Sequence, residues 1–298
     1  MSDPREAFPD ARALLDRYGL RAKKWFGQNF LVSERAFRAI VDATVSNDDD
    51  WIVEIGAGLG TLTSRLLERV CEGKVIAIER DPDMVGVLRG ELGHLDNIDI
   101  HEGDALRYDL AMVARWRGDR ISLCGNLPYH VAAPIIFRAL AQRQHLSRIV
   151  VMVQREMADR IVARPGGKDY GAMSVMIQAV AEVSTVVRVS AGSFVPPPKV
   201  ESAVVRIVPT ADGSPRYDIG DERHFGAVVH AGFAQRRKTL RNALRAAFTD
   251  AAVDAALVAT GIDGGRRAET LAVEEHAALA RAIPPESQHA PVPHDRGN

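Results

Sequence analysis

The chain has 298 residues, of which 46% are hydrophobic and 26% charged, so it can bury a full core and is not expected to be disordered. Its formal net charge of −1 argues mildly against a nucleic-acid-binding protein and leaves only local clusters of Lys and Arg for such contacts. Cys71 and Cys124 stand far apart without a nearby Cys or His, which argues against a zinc site or a disulfide framework.

The first ten residues carry Asp and Pro where a secretory leader would carry a basic cluster and an apolar run. No later stretch of the sequence stays uncharged long enough to span a bilayer. We therefore expect a cytoplasmic protein without a membrane segment, in a reducing setting.

From about residue 33 to 208, short apolar runs alternate with amphipathic segments, a pattern that predicts an α/β fold with a Rossmann-like, doubly wound and mostly parallel sheet. One predicted helix begins after Ser33, a suitable N-cap, and buries Phe37, Ile40 and Val41 at helical spacing. Further helices are predicted at 64–70, 84–92, 134–141 and 172–181. The predicted strands are 51–55, 74–79, 98–101, 120–124, 148–154, 182–189 and 200–208.

The pattern changes around residues 209–215, where Pro, Thr, Gly, Ser and Asp predict a loop and a domain boundary. From Asp221 to about Ile283, Ala, Leu and Arg dominate without strand alternation, which predicts a small all-α domain. The residues 284–298 are rich in Pro, Ser, His and Gly and are expected to fray. The predicted division is therefore a sheet domain, 1–210, a helical domain, 211–283, and a flexible tail, 284–298.

A glycine-rich turn follows the first predicted strand, in the sequence Glu54-Ile55-Gly56-Ala57-Gly58-Leu59-Gly60-Thr61. Glycines in such a turn adopt positive φ and let the backbone approach a ligand closely, so Gly56 and Gly58 are candidate cofactor contacts. The spacing is G-x-G-x-G, and Thr61 stands where a dinucleotide fingerprint has its third glycine. Because Glu54 also suits a cationic sulfonium and an amino acid, the loop favours S-adenosylmethionine, with an ordinary strand-turn-helix as the alternative.

Two acidic residues follow the next two predicted strands. Glu79 ends the 74–79 strand, where its carboxylate can accept both hydroxyls of a cofactor ribose. Asp104 follows the 98–101 strand and can accept a hydrogen bond from a cofactor adenine. Each acid alone also fits a solvated loop residue, but the order of the glycine loop and both acids along three consecutive strands favours a cofactor site.

The turn Asn126-Leu127-Pro128-Tyr129 directly follows the fourth predicted strand. An aromatic amine is a poor nucleophile, because its lone pair is delocalised, and a methylating enzyme must orient that lone pair with hydrogen-bond acceptors. The side-chain oxygen of Asn126 and the carbonyl of Leu127 can accept the two amino hydrogens, while Pro128 stiffens the turn and Tyr129 offers a stacking ring. An ordinary turn is the alternative, since Asn and Pro are turn residues.

Phe194 opens the stiff loop Phe194-Val195-Pro196-Pro197-Pro198-Lys199. The ring of Phe194 can form a second stacking wall over the same pocket, or it can anchor an ordinary loop as a buried side chain. The chemistry of the residues favours neither interpretation.

These residues together resemble the ribosomal RNA adenine dimethyltransferase family, over about residues 23–242. Gly27 before Gln28-Asn29-Phe30-Leu31, and the run Gln235-Arg236-Arg237-Lys238, are most similar to the members that act on small-subunit rRNA, and less so to the macrolide-resistance members that modify large-subunit rRNA. The blocks that carry the resemblance are 24–31, 54–60, 126–129, 194–202 and 233–242.

The resemblance implies transfer of two methyl groups from S-adenosylmethionine to N6 of each of two adjacent adenosines in the 3′-terminal hairpin of 16S rRNA. S-adenosylhomocysteine is released each time, and no metal takes part. The implied catalytic residues are those of the 126–129 turn, with Tyr129 and Phe194 clamping a flipped-out adenine. The alternatives are a ribosome-assembly checkpoint factor, or a methyltransferase for large-subunit rRNA or a small amine. The implied cofactor contacts are Asn29, Leu31, Gly56, Gly58, Glu79, Asp104 and Asn126.

The basic cluster Arg236, Arg237, Lys238, Arg241 and Arg245 fits an RNA surface. It also fits the solvated face of a helix that buries Phe233, Leu240 and Leu244, as charge runs usually do, and both can hold at once. Shape recognition of a folded RNA depends on many phosphate contacts. We therefore expect the protein to dock, as a monomer, on 16S rRNA in the immature small ribosomal subunit. The candidate RNA-binding residues are Lys23, Lys24, Arg236, Arg237, Lys238 and Arg241.

Overall fold

The computed structural model describes residues 8–235 and 237–289, apart from the side chain of Lys24. The strands in these ranges are β1 Phe30–Leu31, β2 Trp51–Ile55, β3 Lys74–Glu79, β4 Ile98–Glu102, β5 Ile121–Asn126, β6 Leu146–Gln154, β7 Ala181–Val189, β8 Phe194–Val195 and β9 Ser202–Pro209. The helices are α1 Ala11–Arg17, α2 Glu34–Thr44, α3 Thr61–Arg69, α4 Pro82–Leu92, α5 Leu110–Arg117, α6 Ala132–Leu140, α7 Arg155–Val162, α8 Ala172–Gln178, α9 Glu222–Phe233, α10 Leu240–Arg245, α11 Asp250–Thr260 and α12 Val273–Ala282.

Seven of the described strands form one sheet in the order β4-β3-β2-β5-β6-β9-β7. The strands from β4 to β6 pair in parallel, and β9 runs antiparallel to β6. This arrangement confirms the predicted Rossmann-like, mostly parallel sheet. The chain moves outward from β2 to β4 and then returns to β5, so the carboxyl ends of β2 and β5 lie side by side. Such a reversal of strand order is where doubly wound sheets bind ligands.

Helices α2 to α6 pack against the strands of this sheet. Helix α2 shows why the sequence folds so: the Ser33 hydroxyl accepts a hydrogen bond from the backbone nitrogen of Ala36, and Phe37, Ile40 and Val41 are buried along one stripe. Each such side chain stabilises the fold by roughly 1.5–3 kcal/mol. The buried stripe packs α2 against β5 and β6.

A second, two-stranded sheet joins β1 to β8, with Phe30 opposite Val195 and Leu31 opposite Phe194. The strands are antiparallel and only two residues long. They tie the segment that contains Gly27 and Asn29 to the proline-rich loop, a connection that the sequence analysis did not predict.

The chain forms two compact units. The first comprises the residues up to Asp159 and the segment Glu182–Ser214, and the second comprises Arg160–Ala181 and the chain from Pro215 onward. The change at Pro215 lies in the predicted loop at 209–215. In contrast to the predicted domain 1–210, however, Arg160–Ala181 belongs to the second unit, because α8 packs on α9 and α12.

The predicted tail at 284–298 begins too early, since residues 284–289 are structured. Pro285–Ser287 forms a short 3-10 helix, and the carbonyl oxygen of Ser287 accepts a hydrogen bond from the backbone nitrogen of Thr249. Phe248 and Gln288 also form an antiparallel bridge. The rest of the predicted tail lies outside the described residues. Among the helices that the structure describes, none is long and apolar enough to cross a membrane.

Candidate active site

A cavity of about 360 Å³ opens at the carboxyl edge of the sheet, where the loops after β2, β3, β4 and β5 meet. This volume lies in the range of small-molecule sites. The structure brings to its wall residues that the sequence analysis selected from separate segments. They are Asn29, Leu31, Gly56, Gly58, Glu79, Asp104, Asn126, Leu127, Pro128 and Tyr129.

The glycine loop after β2 forms one wall of the cavity. Gly56 and Gly58 have φ of 71° and 56°, a conformation that L side chains rarely adopt. A Cβ on Gly56 would lie 3.4 Å from the carbonyl oxygen of Asn126, and a Cβ on Gly58 would lie 3.4 Å from the ring of Phe30. The backbone conformation at both positions therefore favours glycine, as is typical of a loop that approaches a ligand closely.

Glu79 is buried at the end of β3. Its Oε2 accepts a hydrogen bond from the backbone nitrogen of Gly58, and its Oε1 accepts from those of Arg80 and Asp81, each at 2.8 Å. Burial raises the pKa of Glu79, while these donors act to lower it. A carboxylate offers about four lone-pair positions, so roughly one remains for a ribose hydroxyl. Glu79 thus also fixes the glycine loop, and bidentate ribose binding stays a prediction.

Asp104 lies on the cavity wall after β4. Its Oδ1 accepts a hydrogen bond from the backbone nitrogen of Leu106 at 3.0 Å and caps the 3-10 helix Ala105–Arg107, which orients the carboxylate. The contact of Asp104 with a cofactor adenine stays a prediction. In the part of the chain that the structure describes, no group of three or more His, Cys, Asp and Glu side chains could hold a metal ion.

Asn126 ends β5 beside the glycine loop. Its Nδ2 donates a hydrogen bond to the carbonyl oxygen of Asn29 at 2.9 Å, and the Asn29 side chain donates to the carbonyl oxygen of Gly27 at 3.0 Å. Because an amide carries its donors on nitrogen and its acceptor on oxygen, this bond leaves the Asn126 oxygen on the other branch, away from Asn29. Gly125, which was not among the predicted site residues, also needs its hydrogen side chain, because a Cβ there would lie 2.2 Å from the carbonyl oxygen of Ile55.

The aromatic member of the turn, Tyr129, is held by its hydroxyl group. The Tyr129 oxygen lies 2.9 Å from the hydroxyl oxygen of Ser202, which is buried at the start of β9. Leu127 is also buried, and its backbone nitrogen donates to the carbonyl oxygen of Met152 at 3.1 Å. Both bonds fix the turn against β6 and β9, so a base that stacks on Tyr129 meets a preset ring.

Phe194 does not form a second wall of this cavity in the structure. Its side chain is only 2% exposed, lies in a hydrophobic cluster with Leu31 and Phe37, and is absent from the cavity lining. The position corresponds to the alternative interpretation, a loop anchored by a buried aromatic residue. The apolar ring is held there because β8 pairs with β1.

Lys23, a candidate RNA contact, is bound within the protein. Its ammonium group lies 2.6 Å from carboxylate oxygens of both Asp81 and Asp83, and Gln28 donates to Asp81 at 2.7 Å. These bonds fasten the segment 23–31 to the start of α4, directly after Glu79. Lys23 therefore acts as an anchor of this segment, and its RNA role stays a prediction. The side chain of Lys24 lies outside the described part of the chain.

The basic residues of the second unit divide into two groups. Arg237 and Lys238 are exposed, and Arg236 lies outside the described residues. Arg241 is 3.5 Å from Asp254, which also pairs with Arg245, so the charge of Arg241 is partly compensated. Arg237 and Lys238 keep the predicted character of an RNA-binding surface, and Arg241 keeps it only in part.

Glu54 is a further buried acid in the cavity wall, and only 1% of its surface is exposed. No hydrogen-bond partner among the described residues reaches its Oε2. Burial raises the pKa of Glu54 to about 8, and the charge of Glu79 acts in the same direction. A buried carboxyl with one unpaired oxygen is costly unless a cation or donor meets that oxygen. The cavity therefore fits a positively charged ligand, as the sulfonium and ammonium of S-adenosylmethionine would provide.

The sheet order, the glycine loop and the cavity at the strand reversal define the Rossmann-like class of methyltransferase folds. The sequence profile of the ribosomal RNA adenine dimethylase family matches residues 19–283. The chain belongs to this family.

Two relatives are similar over nearly the full length. A protein of Anaeromyxobacter dehalogenans (strain 2CP-C) named ribosomal RNA small subunit methyltransferase A is 48% identical, across 93% of this chain and 99% of the relative. A Myxococcus xanthus protein of the same name is 45% identical, across 92% and 95%. The crystal structure of a dimethyladenosine transferase from Plasmodium falciparum superposes with a TM-score of 0.69 at 23% identity, covering 84% of this chain and 95% of that one. This last likeness supports the fold.

Proposed function

We propose that this protein dimethylates N6 of two adjacent adenosines in the 3′-terminal hairpin of 16S rRNA, with S-adenosylmethionine as methyl donor. The observation that carries the proposal is Asn126, whose amide is oriented by Asn29 at the strand reversal, next to Gly56. The names of the relatives from Anaeromyxobacter and Myxococcus support a small-subunit rRNA substrate.

The donor fits the cavity by its charges and by the polar groups around it. Glu54 offers an unpaired carboxylate oxygen to a cation, and Gly56 leaves space for close approach. Glu79 and Asp104 would hold the ribose and the adenine, and Asn29 and Leu31 would cover them. When bound, S-adenosylmethionine supplies a methyl group on a cationic sulfur.

The residues of the turn prepare the amine for attack. The Asn126 Oδ1 and the Leu127 carbonyl accept the two amino hydrogens, which localises the lone pair of N6 and directs it into the cavity. Tyr129 supports the base from one face, with its ring fixed by Ser202. The pocket thus acts by orientation and by acceptors, which also stabilise the positive charge that grows on N6 during transfer.

The exposed Arg237 and Lys238 would contact phosphates of the rRNA, without reading its bases. We propose further that the substrate is the immature small subunit and that the protein acts on it as a monomer in the cytoplasm. Such docking by shape suits a folded RNA within a particle.

Primer extension on both rRNAs from a strain that lacks this protein tests the proposal. The two adjacent adenosines near the 3′ end of 16S rRNA should no longer stop the polymerase, while the large-subunit rRNA should be unchanged. The wild-type protein should restore the stops, and the Asn126→Ala variant should not. Unchanged 16S stops in the deletion strain would refute the proposed function.

A further inference from the structure

Trp25 is a large aromatic side chain that projects into solvent at the mouth of the cavity. It is 76% exposed and lines the same cavity as Asn126 and Tyr129. Single exposed apolar residues are common on protein surfaces. Trp116, for example, is 57% exposed on α5 and does not line the cavity. The position of Trp25 therefore matters more than its exposure.

The backbone around Trp25 is fastened on both sides. Lys23 and Gln28 bind Asp81, and the carbonyl oxygen of Asn29 accepts the hydrogen bond from Asn126. Trp25 lies between these anchors, in the 3-10 helix Lys24–Phe26. Its exposed ring is thus carried by an anchored backbone segment, which lowers the ordering cost of presenting the ring to a ligand.

The segment that carries Trp25 lies against the target-base turn. A Cβ on Gly27 would come within 3.9 Å of Pro128 and within the same distance of His130. Arg80, which is exposed, lines the same cavity and carries a charge that suits a phosphodiester. The cavity mouth therefore combines an indole face with a cation, the combination with which proteins bind single-stranded nucleic acid.

We infer that Trp25 is a stacking platform for the nucleobase adjacent to the adenine that is being methylated, an inference that rests on the proposed function. Moving one base of an adjacent pair into the pocket removes the stacking partner of the other. The indole of Trp25 replaces that partner and holds the second base at the cavity mouth. Tyr129 supports the base in the pocket, so the two rings serve different nucleotides.

The test uses the full-length protein and a synthetic RNA hairpin with two adjacent adenosines, together with copies in which either adenosine is abasic. Trp25→Ala should raise the dissociation constant for the intact hairpin about tenfold, and Trp25→Phe should retain most of the affinity because it keeps a ring. Trp116→Ala, the matched exposed tryptophan, should bind like the wild type. The dissociation constant for S-adenosylmethionine should stay unchanged in all three variants.

The decisive comparison is a double-mutant cycle. If the indole stacks on the neighbouring base, Trp25→Ala should have no further effect on the hairpin that lacks that base. An equal loss on intact and abasic hairpins, an affinity equal to that of Trp116→Ala, or weaker cofactor binding would each overturn the inference. Wild-type protein that methylates the hairpin while Trp25→Ala binds normally would refute this inference alone. Wild-type protein that neither binds nor methylates small-subunit or large-subunit rRNA would refute the proposed function and the inference with it.

Discussion

The hydroxyl groups of Tyr129 and Ser202 lie 2.9 Å apart and link the target-base turn to the start of β9. The two residues are far apart in sequence, and each belongs to a block that the sequence analysis had singled out for a different reason. The link makes Ser202 a positioning residue for the ring of Tyr129.

Ser202→Ala should therefore weaken RNA methylation without removing the stacking ring. We expect a KM for RNA that rises by about fivefold, because one hydrogen bond contributes about 1 kcal/mol, with a smaller effect on kcat. Tyr129→Phe removes the same bond and should match it, and the double variant should add little. Steady-state kinetics measure this. Ser122→Ala, which removes the hydroxyl of a buried serine near the opposite end of β5, is the control; equal losses there would count against a specific link.

Asn126→Ala should lower the methylation rate by at least about 10²-fold, since a misplaced reacting group has this effect. Binding of S-adenosylmethionine, measured by calorimetry, should weaken far less than the rate, by no more than the loss of the one hydrogen bond to Asn29 allows. Asn126→Asp keeps an acceptor but loses the donor to Asn29, so it should also be nearly inactive. An active Asn126→Ala variant would contradict the role assigned to the amide.

Two basic residues differ in what they bind: Lys23 pairs with carboxylates of the protein, whereas Lys238 is exposed. Lys23→Ala should weaken cofactor binding, because it loosens the segment 23–31, but it should leave the salt dependence of RNA binding unchanged. Lys238→Ala should lower the slope of log affinity against log salt by about 1. Titrations of RNA at several salt concentrations distinguish the two. A reduced slope for Lys23→Ala would support its predicted role in RNA binding.

The sequence predicted the parts of the fold in which local pattern and final environment agree. Strands β2 and β3 follow the predicted ranges 51–55 and 74–79 because buried parallel strands are continuous apolar runs. Helices α1, α5 and α7 were missed, and so was the pairing of β1 with β8. Two-residue strands carry no periodicity, and their pairing depends on contacts between distant segments.

The residues of the candidate site, too, were predicted only in part from the sequence. Gly56, Glu79, Asp104 and Asn126 could be selected because each follows a strand at the same edge of the sheet. The tertiary contacts of other residues could not be predicted. Lys23 meets Asp81 only after folding. Phe194 is buried because β8 pairs with β1. Gly125 directly follows the predicted strand 120–124 and lies inside the observed β5, where a glycine signals close backbone approach.

Glu54 should make cofactor binding depend on pH. Its pKa of about 8 in the free protein means that a bound cation, which favours the carboxylate, must displace a proton below that pH. Affinity for S-adenosylmethionine should fall by up to about tenfold per pH unit below 8 and level off above it. For the fold the sign is opposite, because the raised pKa makes stability fall as pH rises from 4.5 to about 8.

Calorimetry from pH 6.5 to 9, in buffers of different ionisation enthalpy, should detect the released proton. Glu54→Gln should bind more weakly and without this pH dependence. Cys124→Ala is the control for the neighbouring buried thiol, whose pKa burial raises well above its ordinary value. A pH profile that persists in Glu54→Gln would assign the proton to another group.

His276 should make the stability of the second unit depend on pH. Burial lowers the pKa of His276 to about 4, and its Nε2 lies 3.1 Å from the carbonyl oxygen of Ala268. Between pH 6.5 and 4 the unfolded chain binds the proton and the folded one does not. Stability is therefore fully present above pH 6.5 and is lost as pH falls through this window, by about 3 kcal/mol in total. Urea unfolding at pH 7.5 and pH 5 measures the loss. His276→Gln should lower stability at pH 7.5 and flatten its pH dependence. His230→Asn, at an exposed histidine, is the control and should leave the pH dependence unchanged. An equal pH dependence in the wild type and both variants would rule His276 out as the titrating group.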